Sequence, residues 1–205
     1  MRRWMVWTLV AGLIAGCAAP TVPNEPTLDS GLLPTSTSTQ AAPQPAVAPT
    51  LEPDTAGPMA LHSPAFEAGG EIPPVHTCDG ENISPELAWE NVPQGTAALA
   101  LVLDDPDAGH WVHWVAYDLP AELGGLPGGL RTELPGGGRL GSNTWGKLEY
   151  GGPCPPTGRH RYVFSLYALD SELGLPPGAT AEDLAVAAEG HVLATAELAG
   201  TYECG

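Results

Sequence analysis

Residues 99–119 read LALVLDDPDAGHWVHWVAYDL and place two apolar runs on either side of a polar loop. The runs at 99–103 and 115–119 have the composition of buried strands, and three carboxylates, two imidazoles and two indoles lie between them. Binding groups on a β scaffold are usually mounted where strands end. This stretch therefore predicts two neighbouring strands with a functional site at their junction. The first run is apolar on both faces, which indicates a central strand that is covered on two sides.

Beyond about residue 59, the rest of the chain also has the pattern of short strands separated by turns. Short apolar runs alternate with Gly, Pro, Asn and Asp, a pattern typical of an all-β sandwich or barrel. One helix is predicted after Thr180, a good N-cap, with Glu182 and Asp183 in its first turn and Gly190 at its end. We therefore expect an all-β fold with one or two short helices. The Gly- and Pro-rich segment 121–141 has too little apolar content to join the core, and the last strand is expected to end before Gly200.

The alternation of side chains along a strand predicts where the histidines face. His113 should share a face with Val115 and Tyr117 and point inward. His160 and Tyr162 should be neighbours on one face of the strand that covers residues 160–169.

The N-terminal residues have the layout of an export signal. Residues 1–16 combine a positively charged N-terminus, a short apolar segment and small residues at the expected cleavage site, which predicts a signal peptide. The residues before Cys17 resemble a bacterial lipobox, so Cys17 is predicted to be lipidated; an ordinary signal peptide or an anchor helix is the alternative. Residues 17–58, rich in Pro, Thr, Ser and Ala, are predicted to form a disordered tether ahead of a domain at 59–205. The predicted location is extracytoplasmic, in the bacterial cell envelope and lipid-anchored.

Charge and cysteine content limit the partners. The net charge of −17 with seven Lys and Arg makes nucleic acid an improbable partner, because phosphate neutralisation needs clustered basic residues. With Cys17 acylated, three cysteines remain in a compartment where disulfides persist. One of the three must be left over or pair outside the chain.

Five side chains are candidates for chemistry: Asp105, Asp107, His113, His160 and Tyr162. Carboxylates beside imidazoles are compatible with acid–base catalysis, a metal site or an anion pocket with His and Tyr as donors. Each also has a structural interpretation, since Asp-Pro-Asp is usually a turn and a buried His is usually a hydrogen-bonded core residue. No metal-binding, nucleophile-elbow or phosphate-loop motif is present. We therefore predict no metal and no cofactor.

Three spaced motifs resemble one protein family. They are residues 105–108 with Val112-His113-Trp114, residues 152–156 (GPCPP) and residues 160–164 (HRYVF). Together they resemble the phosphatidylethanolamine-binding protein family, in its bacterial, Raf-kinase-inhibitor-like branch. Residues 78–80 (CDG), 82–85 (NISP) and 87–89 (LAW) are similar to the same branch, so the resemblance covers about residues 59–202.

The resemblance implies a β-sandwich of two antiparallel sheets with a small cavity that accepts a small anion or a phospholipid headgroup. It also implies a disulfide between Cys78 and Cys154, with Cys204 free. The residues that it places in the cavity and on its rim are Asp105, His113, His160 and Tyr162, with Asp107, Gly152 and Pro153 shaping the rim.

One departure from the family pattern concerns the rim. The family usually has Pro after Asp-Pro-Asp-Ala, where this chain has Gly109. The sequence as a whole predicts a membrane-tethered, extracytoplasmic binding protein and not an enzyme, with no protein target identified. A protease- or kinase-inhibitory module, or a hydrolase that uses the Asp and His cluster, are the alternatives.

Overall fold

The computed structural model describes residues 57–204, so the predicted signal peptide, Cys17 and all but the end of the predicted tether lie outside the described residues. Within residues 57–204, eight strands and one α-helix account for most of the regular structure. In chain order they are β1 (Ala60–His62), β2 (Leu87–Glu90), β3 (Ala98–Asp105), β4 (Trp111–Pro120), β5 (Gly125–Leu126), β6 (Arg139–Leu140), β7 (Arg159–Leu169), α1 (Ala181–Ala188) and β8 (Val192–Glu203). The predicted all-β class is confirmed.

The strands form two antiparallel sheets, as expected of a sandwich. The small sheet has the order β1-β2-β5 and the large sheet the order β6-β4-β3-β7-β8. The main core lies between them, where Leu101 and Phe164 of the large sheet pack in one cluster with Trp89 of the small sheet. Burial of these apolar side chains is the main stabilising contribution to such a sandwich.

Strand β3 is the centre of the large sheet and confirms the prediction from its composition. Leu99, Leu101 and Leu103 point into the main core, while Ala100 and Val102 face the opposite side. The opposite side is covered by α1, whose Leu184 packs in a second apolar cluster. An apolar run without alternation is thus required because both faces of β3 are buried.

Helix α1 begins where the sequence predicts. The Thr180 hydroxyl accepts a hydrogen bond from the Asp183 N–H (3.1 Å), and the Asp183 carboxylate accepts one from the Thr180 N–H (2.9 Å). This reciprocal pair is a capping box, which satisfies two main-chain donors that the first turn cannot pair internally.

Two predictions about segment boundaries are wrong. Strand β8 continues through Gly200 to Glu203, because the missing side chain at Gly200 lets Ile72 and Phe66 approach the strand closely. The segment 121–141 does join the core: its short strand β5 pairs with β2, and Leu126 is fully buried. A single buried leucine in a Gly- and Pro-rich segment gives no periodic signal.

Candidate functional site

A bulge in β4 decides which way His113 points. Leu103 pairs with Trp114 and Asp104 with Val112, so His113 is an extra residue opposite β3. The bulge turns the imidazole toward Tyr162, with ring centroids 5.2 Å apart and an interplanar angle of 87°. Val115 and Tyr117 instead pack on the α1 side. The predicted shared face is therefore wrong, because a bulge shifts the alternation by one residue.

The bulged His113 is fixed through both its main chain and its ring. Its carbonyl accepts a hydrogen bond from the Gly151 N–H at 3.1 Å. Its Nδ1 lies 2.9 Å from the Gly151 oxygen and 3.1 Å from the Gly152 oxygen. Since a carbonyl can only accept, Nδ1 carries the hydrogen, which leaves Nε2 as an acceptor in the neutral ring. Burial lowers the pKa of His113, outweighing the raising effect of those carbonyls and of Asp105.

Asp105 orients the second imidazole. Its carboxylate is buried, with Oδ2 accepting from His160 Nδ1–H at 2.7 Å and Oδ1 accepting from the Ala108 N–H at 3.0 Å. Both carboxylate oxygens are thus engaged, and His160 presents Nε2 away from the carboxylate. A carboxylate that holds Nδ1–H fixes the tautomer and the orientation of the ring. The contact between Asp105 and His160 therefore positions the His160 ring.

Tyr162 places a hydroxyl without a partner beside these groups. The side chain is fully buried, and among residues 57–204 its hydroxyl makes no well-formed hydrogen bond, although the Asp105 carboxylate and the Cys154 main chain lie near it. Burial raises the pKa of Tyr162 above its usual value, and the nearby Asp105 carboxylate adds to the increase. The phenol therefore keeps its proton and remains a donor. An unpaired buried hydroxyl costs about 1–3 kcal/mol, so an acceptor that reached it would be stabilised.

The segment 151–154 lies beside His113 and forms one wall of the cluster. The Gly152 N–H donates to Asn82 Oδ1 at 2.6 Å, and the Cys78 N–H donates to the Pro153 oxygen at 3.0 Å. A Cβ at Gly152 would lie 2.2 Å from the His76 carbonyl oxygen, so only glycine fits there. The disulfide between Cys78 and Cys154 that the resemblance implied is present, and Cys204 is free. Gly152 and Pro153 thus contribute main-chain atoms to a firmly held wall.

Asp107 and Gly109 shape the loop between β3 and β4. The Asp107 carboxylate is exposed and accepts a hydrogen bond from the Arg161 N–H at 2.8 Å, which ties the loop to β7. Gly109 has φ +68°, in the left-handed region. Proline is restricted to φ near −65°, so this loop conformation excludes the proline that the family usually has.

Sequence reasoning missed Asn143, which organises the neighbouring loop. Its buried side chain accepts from the main-chain N–H groups of Trp145 (3.1 Å) and Lys147 (3.0 Å) and donates to the Glu149 oxygen (3.1 Å). This places the Trp145 ring against His113, with centroids 5.0 Å apart. Asn143 with Gly146 three residues later indicates a turn. No local sequence pattern shows that this turn borders His113.

A separate groove lies on the outer face of the large sheet, beside α1. Its volume is about 980 Å³, and its lining includes Val102, Val163, Tyr167 and Leu184. None of the seven predicted ligand-binding residues lines it. Four of the predicted residues lie instead in a compact polar cluster of Asp105, His113, His160 and Tyr162. This cluster is the candidate site and is called the imidazole cluster below.

The fold and this cluster define a class of protein: a β-sandwich in which two sequence motifs that are far apart in the chain bring carboxylate, imidazole and phenol groups together. Residues 62–203 match the family model described as phosphatidylethanolamine-binding protein. The chain belongs to the phosphatidylethanolamine-binding protein family, and the predicted resemblance is confirmed.

Curated relatives come from several microorganisms. A UPF0098 protein of Methanothermobacter thermautotrophicus is 50% identical over 151 residues, which cover 72% of this chain and 100% of that protein. A protein of Mycobacterium tuberculosis that carries the name lipoprotein LppC is 43% identical over 152 residues, covering 72% of this chain and 74% of the relative. In the described part of this chain, none of the helices has the length and hydropathy needed to cross a bilayer.

Two solved structures share the fold. The phosphatidylethanolamine-binding protein homologue CT736 of Chlamydia trachomatis is 41% identical, with a TM-score of 0.68, and the match covers 72% of this chain and 99% of that one. YbcL of Escherichia coli, described as a member of the mammalian PEBP family, is 30% identical, with a TM-score of 0.68 and coverage of 73% and 100%.

Proposed function

We propose that this chain is a membrane-tethered, extracytoplasmic binding protein whose imidazole cluster holds a small anion or a phospholipid headgroup. The observation that carries the proposal is the Tyr162 hydroxyl, buried without a partner among the described residues, next to the ring of His113. A buried donor without a partner in the chain is available to donate to an oxygen atom of a ligand.

The two imidazoles complete the anion site. Nδ1 of His113 is bonded to main-chain carbonyls and Nδ1 of His160 to Asp105, so each ring offers Nε2 to a ligand. A protonated ring donates Nε2–H to an anion oxygen, and a neutral ring accepts from a ligand O–H. Because the Asp105 charge lies within the same cluster, the site favours an anion of low charge, such as a phosphodiester or a carboxylate.

The same contacts favour binding over catalysis. Covalent catalysis needs a nucleophile that is free to attack and lies beside the base that activates it. The Asp105 carboxylate already accepts hydrogen bonds from His160 and Ala108. Cys154, whose main chain lies near Tyr162, is in a disulfide and has no free thiol. We therefore infer that the cluster holds its ligand without turning it over.

The proposed tether rests on two supports. Cys17 follows a predicted lipobox, and a relative that is 43% identical carries the name of a lipoprotein. Acyl chains on Cys17 would hold the domain at a membrane, since each buried methylene contributes about 0.8 kcal/mol.

Calorimetric titration of the full chain tests the proposal, with inorganic phosphate and phosphorylethanolamine as separate probes. We expect binding of at least one probe and a 10–100-fold loss in His113→Ala, with a thermal unfolding scan showing that the variant is folded. His62→Ala is the matched control, because His62 is exposed on β1, and it should bind as the parent chain does. Equal affinity in His113→Ala and the parent chain would remove the imidazole cluster from the binding site.

A further inference from the structure

A free thiol lies beside the disulfide that fastens the wall of the site. The Sγ atoms of Cys78 and Cys204 and a carboxylate oxygen of Asp79 all lie within 4.8 Å of one another. Cys78 is bonded to Cys154, while Cys204 is exposed and is bonded to neither of the other two described cysteines. Three sulfur atoms and one carboxylate thus form a compact group, called the sulfur cluster below.

The position of Cys204 is set by the large sheet. It follows the last residue of β8, in which Tyr202 pairs with His160 of β7. The Tyr202 hydroxyl donates to Asp79 Oδ2 at 2.7 Å, which holds the end of β8 against the turn that carries Cys78. The Cys204 thiol donates to the Pro155 oxygen at 3.3 Å. Strand pairing and two side-chain hydrogen bonds therefore keep the thiol next to the disulfide.

We propose that the sulfur cluster is an intramolecular thiol–disulfide exchange site with two alternative disulfides. The Cys204 thiolate attacks Sγ of Cys78, a new S–S bond forms between Cys78 and Cys204, and the bond to Cys154 breaks. The electron pair of the broken bond leaves on Cys154, which takes up a proton in place of the one that Cys204 gave up. One disulfide replaces another, so the reaction needs no external oxidant or reductant.

Asp79 controls how readily the exchange begins. Loss of hydration and then the Asp79 carboxylate raise the pKa of the Cys204 thiol. Tyr202 and Tyr162 are the other titratable groups that interact with Cys204, and both carry pKa values above the usual one for tyrosine. The thiolate is the attacking form. The exchange is therefore slow at neutral pH and accelerates as the pH rises.

The exchange bears on the anion site because of where Cys154 sits. The segment that carries it supplies the Gly151 and Gly152 carbonyls that hold His113 and the Pro153 carbonyl that accepts from the Cys78 N–H. Releasing Cys154 leaves this wall held by hydrogen bonds alone. The sulfur cluster thus supplies a covalent control over the wall of the imidazole cluster.

Peptide mapping measures the exchange directly and without any ligand, so its outcome is independent of the proposed function. In the full chain with Cys17→Ser, trypsin separates the three cysteines, because Cys78 falls in residues 4–131, Cys154 in 148–159 and Cys204 in 162–205. The chain is incubated at pH 7 and at pH 9, labelled with N-ethylmaleimide and digested. We expect the peptide pair that contains Cys78 and Cys204 to appear at pH 9, with the label moving to Cys154 at a rate independent of protein concentration.

Two variants and one control variant test the exchange further. Cys154→Ser removes the observed disulfide, and oxidised glutathione should convert the two remaining thiols to a Cys78–Cys204 disulfide. Asp79→Asn keeps an acceptor for Tyr202 while removing the charge, and should speed the exchange several-fold at pH 8. Glu81→Gln, an equal charge change at an exposed position two residues away, should leave the rate within twofold of that of the parent chain.

Persistence of Cys78–Cys154 alone at pH 9, together with failure of Cys154→Ser to form Cys78–Cys204, would overturn the exchange. Equal rates in Asp79→Asn and Glu81→Gln would overturn the control assigned to Asp79.

Discussion

Replacing Tyr162 by Phe should change stability and anion binding in opposite directions. The buried hydroxyl of Tyr162 lacks a hydrogen-bond partner among residues 57–204, so the ligand-free protein bears the cost of its desolvation. Removing that oxygen leaves the ring contact with His113 and relieves the cost. We expect the free energy of unfolding of Tyr162→Phe to rise by about 1 kcal/mol.

Binding should weaken in the same variant. A hydrogen bond from a neutral donor to a charged acceptor contributes about 1.5–3 kcal/mol, which corresponds to roughly 10–150-fold in affinity for phosphate. Urea denaturation without ligand measures the first effect, and calorimetric titration with inorganic phosphate measures the second.

Tyr117→Phe is the matched control. Its hydroxyl is bonded to the Pro176 oxygen at 2.6 Å on the α1 side of the sheet. Removing it should lower the free energy of unfolding by about 1 kcal/mol and leave phosphate affinity unchanged. The reasoning about Tyr162 is refuted if Tyr162→Phe loses stability as Tyr117→Phe does, or if it binds phosphate as tightly as the parent chain.

Three other changes test separate parts of the account. The pKa of His113 is lowered in the folded protein, so the unfolded chain takes up a proton first as the pH falls below about 6.5. The free energy of unfolding, measured by urea denaturation, should therefore decline between about pH 6.5 and the pKa of His113 in the folded protein, and the decline should be smaller in His113→Gln. Gly152→Ala should lower the free energy of unfolding by about 1–3 kcal/mol, because its Cβ would lie 2.2 Å from the His76 carbonyl oxygen. The Cβ of Gly124→Ala has no neighbour within 4 Å, so this control should change the free energy of unfolding by less than about 0.5 kcal/mol in the same urea assay. Cys17→Ser should move the chain from the membrane fraction to the soluble fraction, and equal membrane fractions would contradict the lipid anchor.

The parts of the fold that depend on neighbours in sequence were predictable. The uninterrupted apolar run of β3 indicates burial on both faces, and Thr180 with Asp183 forms the capping box that marks the start of α1. The core position of Leu126 and the length of β8 depend on which segments pack against them, and so local patterns did not show them.

The residues of the imidazole cluster could be named from the family motifs, but their geometry could not be predicted. Its two halves, around Asp105 and around His160, meet because β3 pairs with β7, and the family motifs indicated this where spacing alone could not. The orientation of His113 depends on a bulge that only the pairing with β3 reveals. The unpaired hydroxyl of Tyr162 and the closeness of Cys204 to Cys78 are likewise consequences of tertiary contacts.

The most direct test of the central claim is a phosphate titration of the ¹⁵N-histidine-labelled full chain, followed by long-range ¹H–¹⁵N correlation of the imidazole nitrogens. In the ligand-free protein at neutral pH, His113 should show hydrogen on Nδ1 and a free Nε2, as its contacts with the Gly151 and Gly152 carbonyls require. Phosphate should shift the Nε2 resonances of His113 and His160 together, with one binding constant, and leave exposed His62 unchanged. Saturating phosphate that shifts neither ring would contradict the account.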